Sequence, residues 1–420
     1  MYKRPLSIAH VIHSILFRNK ECLPPNNIRQ ALKNTQIVAT HTQISTAHLE
    51  AVPVKLPYNN KELSEPSMLI IRPCKETDLD DLLHISHVVG KGMTSMPADK
   101  QAWMDKIEAS AKAFNTNNPA EPISTYFMVL EDTETGHLAG TTAIYTGVGL
   151  SRPFYSYKVS TLVNSSSDLN LIRQTRVLSL VNDYTGSTEI GSLYLLPEYR
   201  KPGVGQFLSR ARFLLLADYP ERFGDQVIAE LRGWQDDEGK SPLWENLGKP
   251  FFGIEFQDAV NTAALKGSQF ISDLMPKYPI YIDLLPAVAQ EVIGKPHNSS
   301  APALHMLKKE GFQYSGYVDL FDGGPSVQSE VSQIISVKNS HTSGFKTTRK
   351  LSAQCELHLI SNGDLNNYRV ALAPAVLEED GTLLIEETTA QKLQLATSAP
   401  VRSIRLNRST KQALNPKVAA

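Results

Sequence analysis

The most constraining feature of this sequence is a strand, a turn and a helix that follow one another without a break over residues 189–209. Apolar residues at 190–196 predict the strand, and Pro197 predicts the turn. The apolar face of residues 207–219 predicts the helix, which ends before Pro220 because proline disfavours helical backbone at the preceding residue. A strand that runs directly into a helix is typical of α/β architecture.

Arg200-x-x-Gly203-x-Gly205 stands at the start of this helix. Glycine lets successive backbone N–H groups turn toward one centre and lets a ligand approach the main chain. The positive end of the helix dipole lies at the same place. The motif therefore indicates a pyrophosphate cradle formed by Arg200, Gly203, Val204, Gly205 and Gln206. The alternative is a glycine-rich turn that binds nothing.

Two other phosphate-binding motifs are excluded. A Rossmann fingerprint needs a third glycine, and Gly205 is followed by Gln206, Phe207 and Leu208. The pattern from Gly233 to Lys240 resembles a Walker loop, but five residues separate its glycines where four are required. Hydrolysis of a nucleoside triphosphate is therefore not expected.

Alternating strands and helices predict a main body of α/β or α+β class around a central sheet. The predicted elements are a strand at 69–72, a helix at 76–89, a hairpin of strands 126–131 and 137–145, and a strand at 226–232. After a connector at 338–352, the segment 353–408 predicts a small β unit with strands at 356–360, 368–373, 382–387 and 401–406.

Two short segments suggest an internal repeat. Each predicts a short helix that ends at a glycine, Gly248 in one and Gly311 in the other. An aromatic-rich strand is predicted after each, at residues 251–256 and 312–321. The pattern favours two similar halves.

Residues 1–66 differ from the remainder in composition, with eight Lys and Arg against four Glu and no Asp. Sustained periodicity is weak there. We interpret the segment as an extension that is poorly ordered or wrongly assigned to the chain, and a transit peptide is the alternative.

Charge and cysteine content exclude several classes of protein. The 42 basic and 43 acidic residues nearly cancel, so no overall field attracts nucleic acid. Three scattered cysteines form no CxxC pair, which argues against a metal site and favours a reduced, cytoplasmic environment. Apolar runs such as 213–217 are far shorter than a membrane span.

A strand followed by R-x-x-G-x-G and a helix is the coenzyme A signature of the GNAT superfamily, and the chain from Met68 to about Val337 resembles the arginine N-succinyltransferase family within it. The resembling segments lie in one order at 68–73, 92–98, 129–136, 153–157, 161–163, 180–183, 229–233, 241–244, 274–277, 292–294 and 321–325. The chain departs from the family pattern at Asn164, Tyr278 and Asn298. These departures leave the substrate preference open.

The resemblance implies a GNAT-like fold with an acyl-CoA-binding lobe at 67–253, a second lobe at 254–337, a linker at 338–352 and a β-rich unit with a frayed tail at 353–420. It implies transfer of the succinyl group of succinyl-CoA to the α-amino group of arginine, with no metal and no permanently bound cofactor. Ornithine or another amine is the alternative acceptor. A catalytically silent acyl-CoA-binding subunit is the alternative from a different class, and a homo-oligomer or a paired acyltransferase subunit is possible. No nucleic acid or membrane partner is expected.

Particular residues take roles from the resemblance. His297, in a polar loop, corresponds to the family's proton donor, and a loop histidine titrates near neutral pH. Leu193 and Leu195 lie on the strand whose backbone is expected to contact the pantetheine arm of the donor. Four charged residues are candidates to bind the guanidinium or a carboxylate of the acceptor, with structural ion pairs as the alternative: Asp183, Glu189, Glu230 and Arg232.

Overall fold

A large mixed sheet organises the part of the chain that the computed structural model describes, which is residues 68–406 apart from 90–92, 94, 117–120, 268 and 398. The strands are β1 (Leu69–Pro73), β2 (Thr125–Asp132), β3 (Leu138–Tyr145), β4 (Ser156–Ser166), β5 (Leu171–Val181), β6 (Thr188–Leu195), β7 (Gln226–Glu230), β8 (Ile280–Tyr281), β9 (Gln313–Val318), β10 (Pro325–Glu330), β11 (His341–Ser343), β12 (Phe345–Thr348), β13 (Glu356–Ser361), β14 (Val370–Leu377), β15 (Leu383–Glu386) and β16 (Val401–Arg405). The predicted extension at 1–66 and the frayed tail after 406 lie outside the described residues.

Helices cover parts of both faces of this sheet. They are α1 (Leu79–Val89), α2 (Lys100–Asn115), α3 (Val204–Asp218), α4 (Lys249–Phe252), α5 (Phe256–Lys266), α6 (Gln269–Leu274), α7 (Ala287–Gln290), α8 (Ala301–Lys309), α9 (Ile335–Asn339) and α10 (Glu387–Lys392). Within the described ranges, none of the helices is both long and apolar enough to cross a membrane.

The central strands follow the order β14-β1-β2-β3-β6-β7-β10-β9-β4-β5, and the neighbours are antiparallel except β6 and β7. The predicted hairpin is confirmed, because β2 and β3 pair from Thr125 and Tyr145 to Glu131 and Leu138. Helix α3 makes the crossover between the parallel strands β6 and β7, as parallel pairing requires. The predicted mixed α/β class is confirmed.

Two apolar layers hold the helices against the sheet. Helix α3 buries Phe207 and Leu214 in a core shared with Met128 of β2 and Ala229 of β7. On the opposite face, Trp103 of α2 packs edge-on against Phe127, with ring centroids 5.2 Å apart. The alternation of β2 residues between these cores fixes its register, since a slip of one residue would exchange the two faces.

The predicted strand at 251–256 is wrong. Phe252 ends α4 and Phe256 begins α5, and both rings pack against Trp244. Gly248 lies inside a continuous helical segment, and the left-handed residue that ends it is Gly253, with φ 66°. The second segment behaves as predicted, because Gly311 has φ 99° after α8 and β9 follows. The suggested repeat is therefore absent from these two segments.

The predicted C-terminal strands are present, and they extend the main sheet through pairing of β14 with β1. Residues 338–352, expected as a connector, contain the strands β11 and β12. The C-terminal strands also hold the end of α3, where the Asp218 carboxylate accepts hydrogen bonds from Arg402 Nε (2.6 Å) and Ser361 Oγ (2.8 Å). Helix α3 is thereby fixed at its C-terminal end.

A chain that begins at Met68 is expected to fold. The described residues from Met68 to Leu406 belong to one compact unit, and β1 begins at Leu69. The shortened chain should keep the far-UV circular dichroism of the full chain and unfold in one cooperative thermal transition. An insoluble or non-cooperative product would show that the omitted residues belong to the fold.

Candidate active site where strands β6 and β7 separate

Strands β6 and β7 are paired over only part of their length. Their parallel ladder joins Thr188 to Val227 and Glu189 to Ile228. Beyond Glu189, β6 continues to Leu195 while it pairs with β3 on its other side. In the described part of the chain, no strand pairs with this second edge of β6. Sheet pairing therefore does not use the backbone groups along this edge.

A bulge at Ser192 bends β6 within this open stretch. Ser192 has φ 49°, and the register of β3 and β6 shifts there. Two contacts hold the bulge: the Tyr145 and Ser192 hydroxyls lie 2.6 Å apart, and Thr141 Oγ1 donates to the Ser192 carbonyl oxygen at 2.8 Å. Bulges re-aim side chains and end pairing. The sequence analysis missed Ser192, since a serine within a strand carries no local signal for a left-handed backbone.

The predicted cradle begins at the end of β6. Gly203 precedes α3 with φ 93°, a value that favours glycine, and no side chain caps the helix. A Cβ built on Gly205 meets no atom within 4 Å, so the space beside it is open. Val204 is buried, and its N–H donates to the Lys201 carbonyl oxygen at 3.2 Å, while Gln206 is half-buried.

The other three residues that were predicted to contact the acyl-CoA lie beside the two glycines of the cradle. Arg200 is exposed, and its Nε donates to the Leu195 carbonyl oxygen at 3.0 Å. This bond ties the turn to the end of β6. Leu193 and Leu195 are partly buried against the core under α3. Any contact they make with a ligand would therefore use the main chain.

Two predicted acceptor residues, Glu189 on β6 and Glu230 on β7, lie on one face of the sheet. Burial raises the pKa of Glu189 to about 7, and the charge of Lys106 opposes that rise. Burial also raises the pKa of Glu230 well above its usual range, helped by the charges of Asp319 and Glu189. Neither carboxyl has an ion-pair partner among residues 68–406 as described, although Ser326 Oγ donates to Glu230 at 3.3 Å.

Asp319 and Asp322 add negative charge to this face from the turn before β10. Asp319 Oδ1 accepts the N–H of Phe321 at 2.7 Å, and the Asp322 carboxylate accepts the N–H of Gly233 at 2.8 Å. Burial and the neighbouring Asp319 raise the pKa of Asp322 to about 8. Together Glu189, Glu230, Asp319 and Asp322 form what we call the carboxyl cluster. Its two aspartates were not predicted as site residues.

His297 is held at the end of β7 by backbone pairing. Its N–H donates to the Arg232 carbonyl oxygen at 2.8 Å, and Pro296 pairs with Gly233. The ring Nδ1 accepts the N–H of Ser299 at 3.1 Å and lies 2.7 Å from the Ser299 hydroxyl. Acceptance at Nδ1 places the proton of the neutral ring on Nε2. Partial burial and the Arg232 charge lower the His297 pKa below its usual 6.5.

Arg232 lies between His297 and the carboxyl cluster. The positive charge of Arg232 lowers the pKa of His297. Burial lowers the pKa of Arg232 itself, and the charge of Asp322 opposes that shift. One terminal nitrogen donates to Gln235 Oε1, while the buried Nε has no hydrogen-bond partner within the described residues. A buried donor without an acceptor is costly, and a bound carboxylate would satisfy it.

Asp183 lies at the rim of this group. It is exposed, and its carboxylate accepts the Tyr317 hydroxyl at 2.9 Å. The Tyr317 and Tyr184 rings are 4.6 Å apart. The structure therefore brings Glu189, Glu230, Arg232 and His297 into one continuous network of charges, with Asp183 at its edge.

Lys106 of α2 is a second residue that the sequence analysis missed. Its ammonium lies 5.5 Å from the ring centroids of Trp103 and Phe127 and 5.6 Å from that of Tyr145. Burial lowers its pKa to about 8, and the Glu189 charge opposes that shift. Tyr145 faces Glu189 across the β3–β6 ladder. Lys106 is thus the cation whose charge lowers the pKa of the Glu189 carboxyl.

Metal and thiol chemistry have no clear site in the described ranges. No group of three or more His, Cys, Asp and Glu residues there is placed to hold a metal ion. Cys74 is buried, and burial raises its pKa to about 12, which disfavours the reactive thiolate.

Comparison with known proteins identifies the family. The family model described as arginine N-succinyltransferase beta subunit matches residues 69–336, and the model of its C-terminal domain matches residues 347–405. The chain is 39% identical over 339 residues to arginine N-succinyltransferase subunit beta of Pseudomonas aeruginosa, covering 81% of this chain and 98% of that one. It is 39% identical over 305 residues to arginine N-succinyltransferase of Escherichia fergusonii, covering 73% and 88% of the two chains.

A solved structure agrees with these matches. The arginine/ornithine succinyltransferase subunit AI from Pseudomonas aeruginosa superposes with a TM-score of 0.74 and 32% identity, covering 81% of this chain and all of that chain. The predicted GNAT-like α/β fold is consistent with this neighbour, and the predicted family is confirmed. The chain therefore belongs to the arginine N-succinyltransferase beta subunit family.

Proposed function

We propose that the protein is an acyltransferase that moves the succinyl group of succinyl-CoA to the α-amino group of arginine and releases N2-succinylarginine and CoA. Its family supports the reaction class. The observation that carries the assignment of the site is a cluster of enclosed carboxyls, of which Glu189 and Glu230 form no ion pair with a described residue, beside an open strand edge. We also propose the cytoplasm as the place of action, because the three scattered cysteines favour a reduced environment.

The donor would lie along β6. From Glu189 to Leu195 the strand extends for about 20 Å at roughly 3.3 Å per residue, and the cradle at Gly203 and Gly205 follows. The pyrophosphate would lie at the start of α3, where helix N–H groups and the dipole favour an anion. The extended pantetheine arm would then run along the open edge of β6 and place the thioester toward Glu189.

The amino acid that accepts the succinyl group would bind through its charged groups. The raised pKa values leave much of the carboxyl cluster protonated near neutral pH when the site is empty, and a bound guanidinium or ammonium group would favour the ionised carboxylates that pair with it. Arg232 provides the opposite charge, and its unpartnered Nε is suited to a carboxylate of either substrate. A zwitterionic amino acid with a cationic side chain satisfies both groups at once.

In the reaction, the neutral α-amino group attacks the thioester carbonyl carbon, the C–N bond forms, and the C–S bond breaks. The amine gives up a proton, and the leaving thiolate can take one. His297 Nε2 is the ring atom that Ser299 leaves available. It can take the amine proton in the tautomer in which Nδ1–H donates to the Ser299 hydroxyl 2.7 Å away, and the imidazolium so formed can donate the proton from Nε2 to the thiolate sulfur. Holding both reactants in contact supplies much of the acceleration, and general acid–base help adds to it.

Release of free CoA thiol tests this function. The full chain should release thiol from succinyl-CoA in the presence of arginine, in parallel assays that also contain acetyl-CoA, ornithine and lysine. Ornithine merits inclusion because the solved relative is named as an arginine/ornithine succinyltransferase subunit. Binding of succinyl-CoA without thiol release from any pair would indicate a catalytically silent subunit.

The substitution Gly205→Asp should weaken acyl-CoA binding by about tenfold or more, because it places a negative charge beside the pyrophosphate. The free protein should be little disturbed, since the added side chain enters open space. Calorimetric titration with CoA measures the effect. Gly205→Asn, of nearly equal size but uncharged, is the matched control and should lose much less affinity. Equal losses in the two variants would contradict an electrostatic cradle.

The substitution His297→Ala should lower kcat by about 10²–10⁴-fold, the usual contribution of general acid–base catalysis. CoA affinity and the melting temperature should change little, since the side chain is only partly buried. The pH–rate profile should also lose a limb centred below about 6.5, because the pKa of His297 is lowered. His305→Ala, at an exposed position on α8, is the control and should behave as wild type. An unchanged single-turnover rate in His297→Ala would exclude the proposed role.

The substitution Glu230→Gln should stabilise the protein at pH 8 while it weakens acceptor binding. A carboxyl whose pKa is raised on folding costs stability above its unfolded pKa of about 4.5, and the cost grows until the folded pKa is passed. Glutamine removes that cost. The melting temperature should therefore rise at pH 8 by about 1–2 °C for each roughly 1 kcal/mol in a chain of this size, and rise less at pH 5.

Activity assays complete this test. Glu230→Gln should raise KM for arginine and leave CoA affinity unchanged, since Glu230 lies on the acceptor side of the proposed site. Glu198→Gln, which changes an exposed glutamate in the turn after β6, is the control for both measurements. A lower melting temperature at pH 8 together with an unchanged KM would mean that Glu230 is a structural residue.

A further inference from the structure

An enclosed ammonium group lies beside the proposed reaction centre without a bound anion. Lys106 of α2 forms no ion pair with a described residue. Its ammonium donates one hydrogen bond among those residues, to the carbonyl oxygen of Ser95 in the segment between α1 and α2. A lysine ammonium carries three N–H donors. Two of them therefore have no acceptor in the described part of the chain, and enclosed donors without acceptors are costly.

Three aromatic rings surround this ammonium. Its Nζ lies 5.5 Å from the ring centroids of Trp103 and Phe127 and 5.6 Å from that of Tyr145. We name this arrangement of Ser95, the three rings and Lys106 the ammonium pocket. Aromatic faces attract a cation without supplying an anion, and their low polarity strengthens its attraction for an anion that enters. Lys106 as a residue is only half-buried, so the pocket is not closed to a ligand.

The ammonium pocket adjoins the part of β6 toward which the thioester is proposed to point. Tyr145, one wall of the pocket, pairs with Glu189 in the β3–β6 ladder. A Cβ built on Gly191 would lie 3.3 Å from Tyr145 Cε2 and 3.6 Å from Glu189 Oε1, so the ring and the carboxyl meet above this glycine. The charge of Lys106 also acts on the pKa of Glu189, as expected of a cation near that carboxyl. The pocket is therefore next to the first residue of the open strand edge.

The donor of the proposed reaction carries an anion close to its thioester. Three C–C bonds of roughly 1.5 Å join the thioester carbon of a succinyl group to its carboxylate carbon, a reach of at most about 4.5 Å. A cation that binds this carboxylate must therefore lie beside the reaction centre. Two described cations act on groups of the site, Lys106 on Glu189 and Arg232 on His297.

The positions of these two cations assign them to different substrates. Arg232 follows β7, and its backbone holds His297, the proposed proton-transfer residue. The α-carboxylate of the acceptor is attached to the carbon that bears the reacting amine, so it lies on the His297 side and is matched to Arg232. Lys106 lies on the side of β3 and β6, along which the donor is proposed to extend. Lys106 is thus matched to the carboxylate of the donor.

We propose that Lys106 binds the free carboxylate of the succinyl group and so makes the protein selective for a dicarboxylic acyl donor, an inference that rests on the proposed function. The carboxylate oxygens would accept the two N–H donors that Ser95 leaves unused. An uncharged acyl chain of the same length would leave these donors without an acceptor, and a site built for a polar group rejects an analogue that lacks it. Glu189, whose pKa burial raises to about 7, can stay protonated beside the second carboxylate.

A comparison of succinyl-CoA with butyryl-CoA tests this role, because the two acyl chains have equal numbers of carbon atoms and only the first ends in a carboxylate. With arginine as acceptor, the full chain should prefer succinyl-CoA in kcat/KM by about 10–100-fold, the value of a charge-assisted hydrogen bond. Lys106→Met, of similar length but uncharged, should lose that preference because kcat/KM falls for succinyl-CoA alone. Lys106→Arg should keep most of it. Lys112→Met, at an exposed position on the same helix, is the control and should behave as wild type.

A merely structural role for Lys106 predicts other results. Lys106→Met would then lose activity with both donors in equal proportion, which overturns the proposal, as does a wild type that uses both donors equally well. The melting temperature of Lys106→Met should not fall, since an apolar side chain removes an enclosed charge. Lys106→Gln, which is polar but uncharged, gives the same comparison if the methionine variant does not fold.

Calorimetric titration separates this inference from the proposed function. Absence of thiol release from every acyl-CoA and amine pair would contradict the proposed function. The wild type should even then bind succinyl-CoA about tenfold or more tightly than butyryl-CoA, since the contact with Lys106 is made on binding. Lys106→Met should bind the two donors equally. Equal binding of both donors by the wild type, or binding of neither, overturns the inference.

Discussion

The site depends on the incomplete pairing of β6 and β7. Two residue pairs hold the parallel strands together at Glu189, and beyond that point β6 bends at Ser192 and pairs on one side only. The open edge, the carboxyls beside it and the helix N-terminus at its end all follow from this one separation. A fully paired ladder would have used the backbone groups of β6 and closed the space. The bulge therefore removes hydrogen bonds from the sheet and leaves space in which an extended ligand can bind.

The carboxyl cluster has an energetic cost that the surrounding fold must offset. Glu189 and Glu230 form no ion pair with a described residue, and burial raises the pKa of both, although the charge of Lys106 partly opposes the rise at Glu189. Asp319 and Asp322 are better satisfied, because backbone N–H groups of their own turn and of Gly233 bind them. The aspartates thus have a structural role in the turn and also add charge to the cluster, whereas the glutamates have no comparable structural partner. That difference makes the glutamates the stronger candidates for contact with a substrate.

Local sequence signals predicted the strand, the turn and the helix start at residues 189–209, because neighbouring residues such as Pro197 and Gly203 specify them. They failed at 251–256, where aromatic spacing suggested a strand, although Phe252 and Phe256 instead pack around Trp244 on helices. Contacts between distant segments were beyond prediction. Lys106 lies on α2, far from Glu189 in sequence, and only tertiary packing places it near Tyr145 and Glu189.

The end of β7 connects the carboxyl cluster with His297, the proposed proton-transfer residue. Its last residue, Glu230, belongs to the carboxyl cluster, and the backbone of Arg232, two residues later, holds His297 by a hydrogen bond of 2.8 Å. Arg232 itself lowers the pKa of His297 and leaves a buried Nε without an acceptor among the described residues. An anion bound at that Nε would partly neutralise the guanidinium and so raise the His297 pKa toward its usual value. Binding of a carboxylate substrate would in this way bring the pKa of His297 closer to neutral pH. General acid–base catalysis is most effective when the pKa of the group lies near the operating pH.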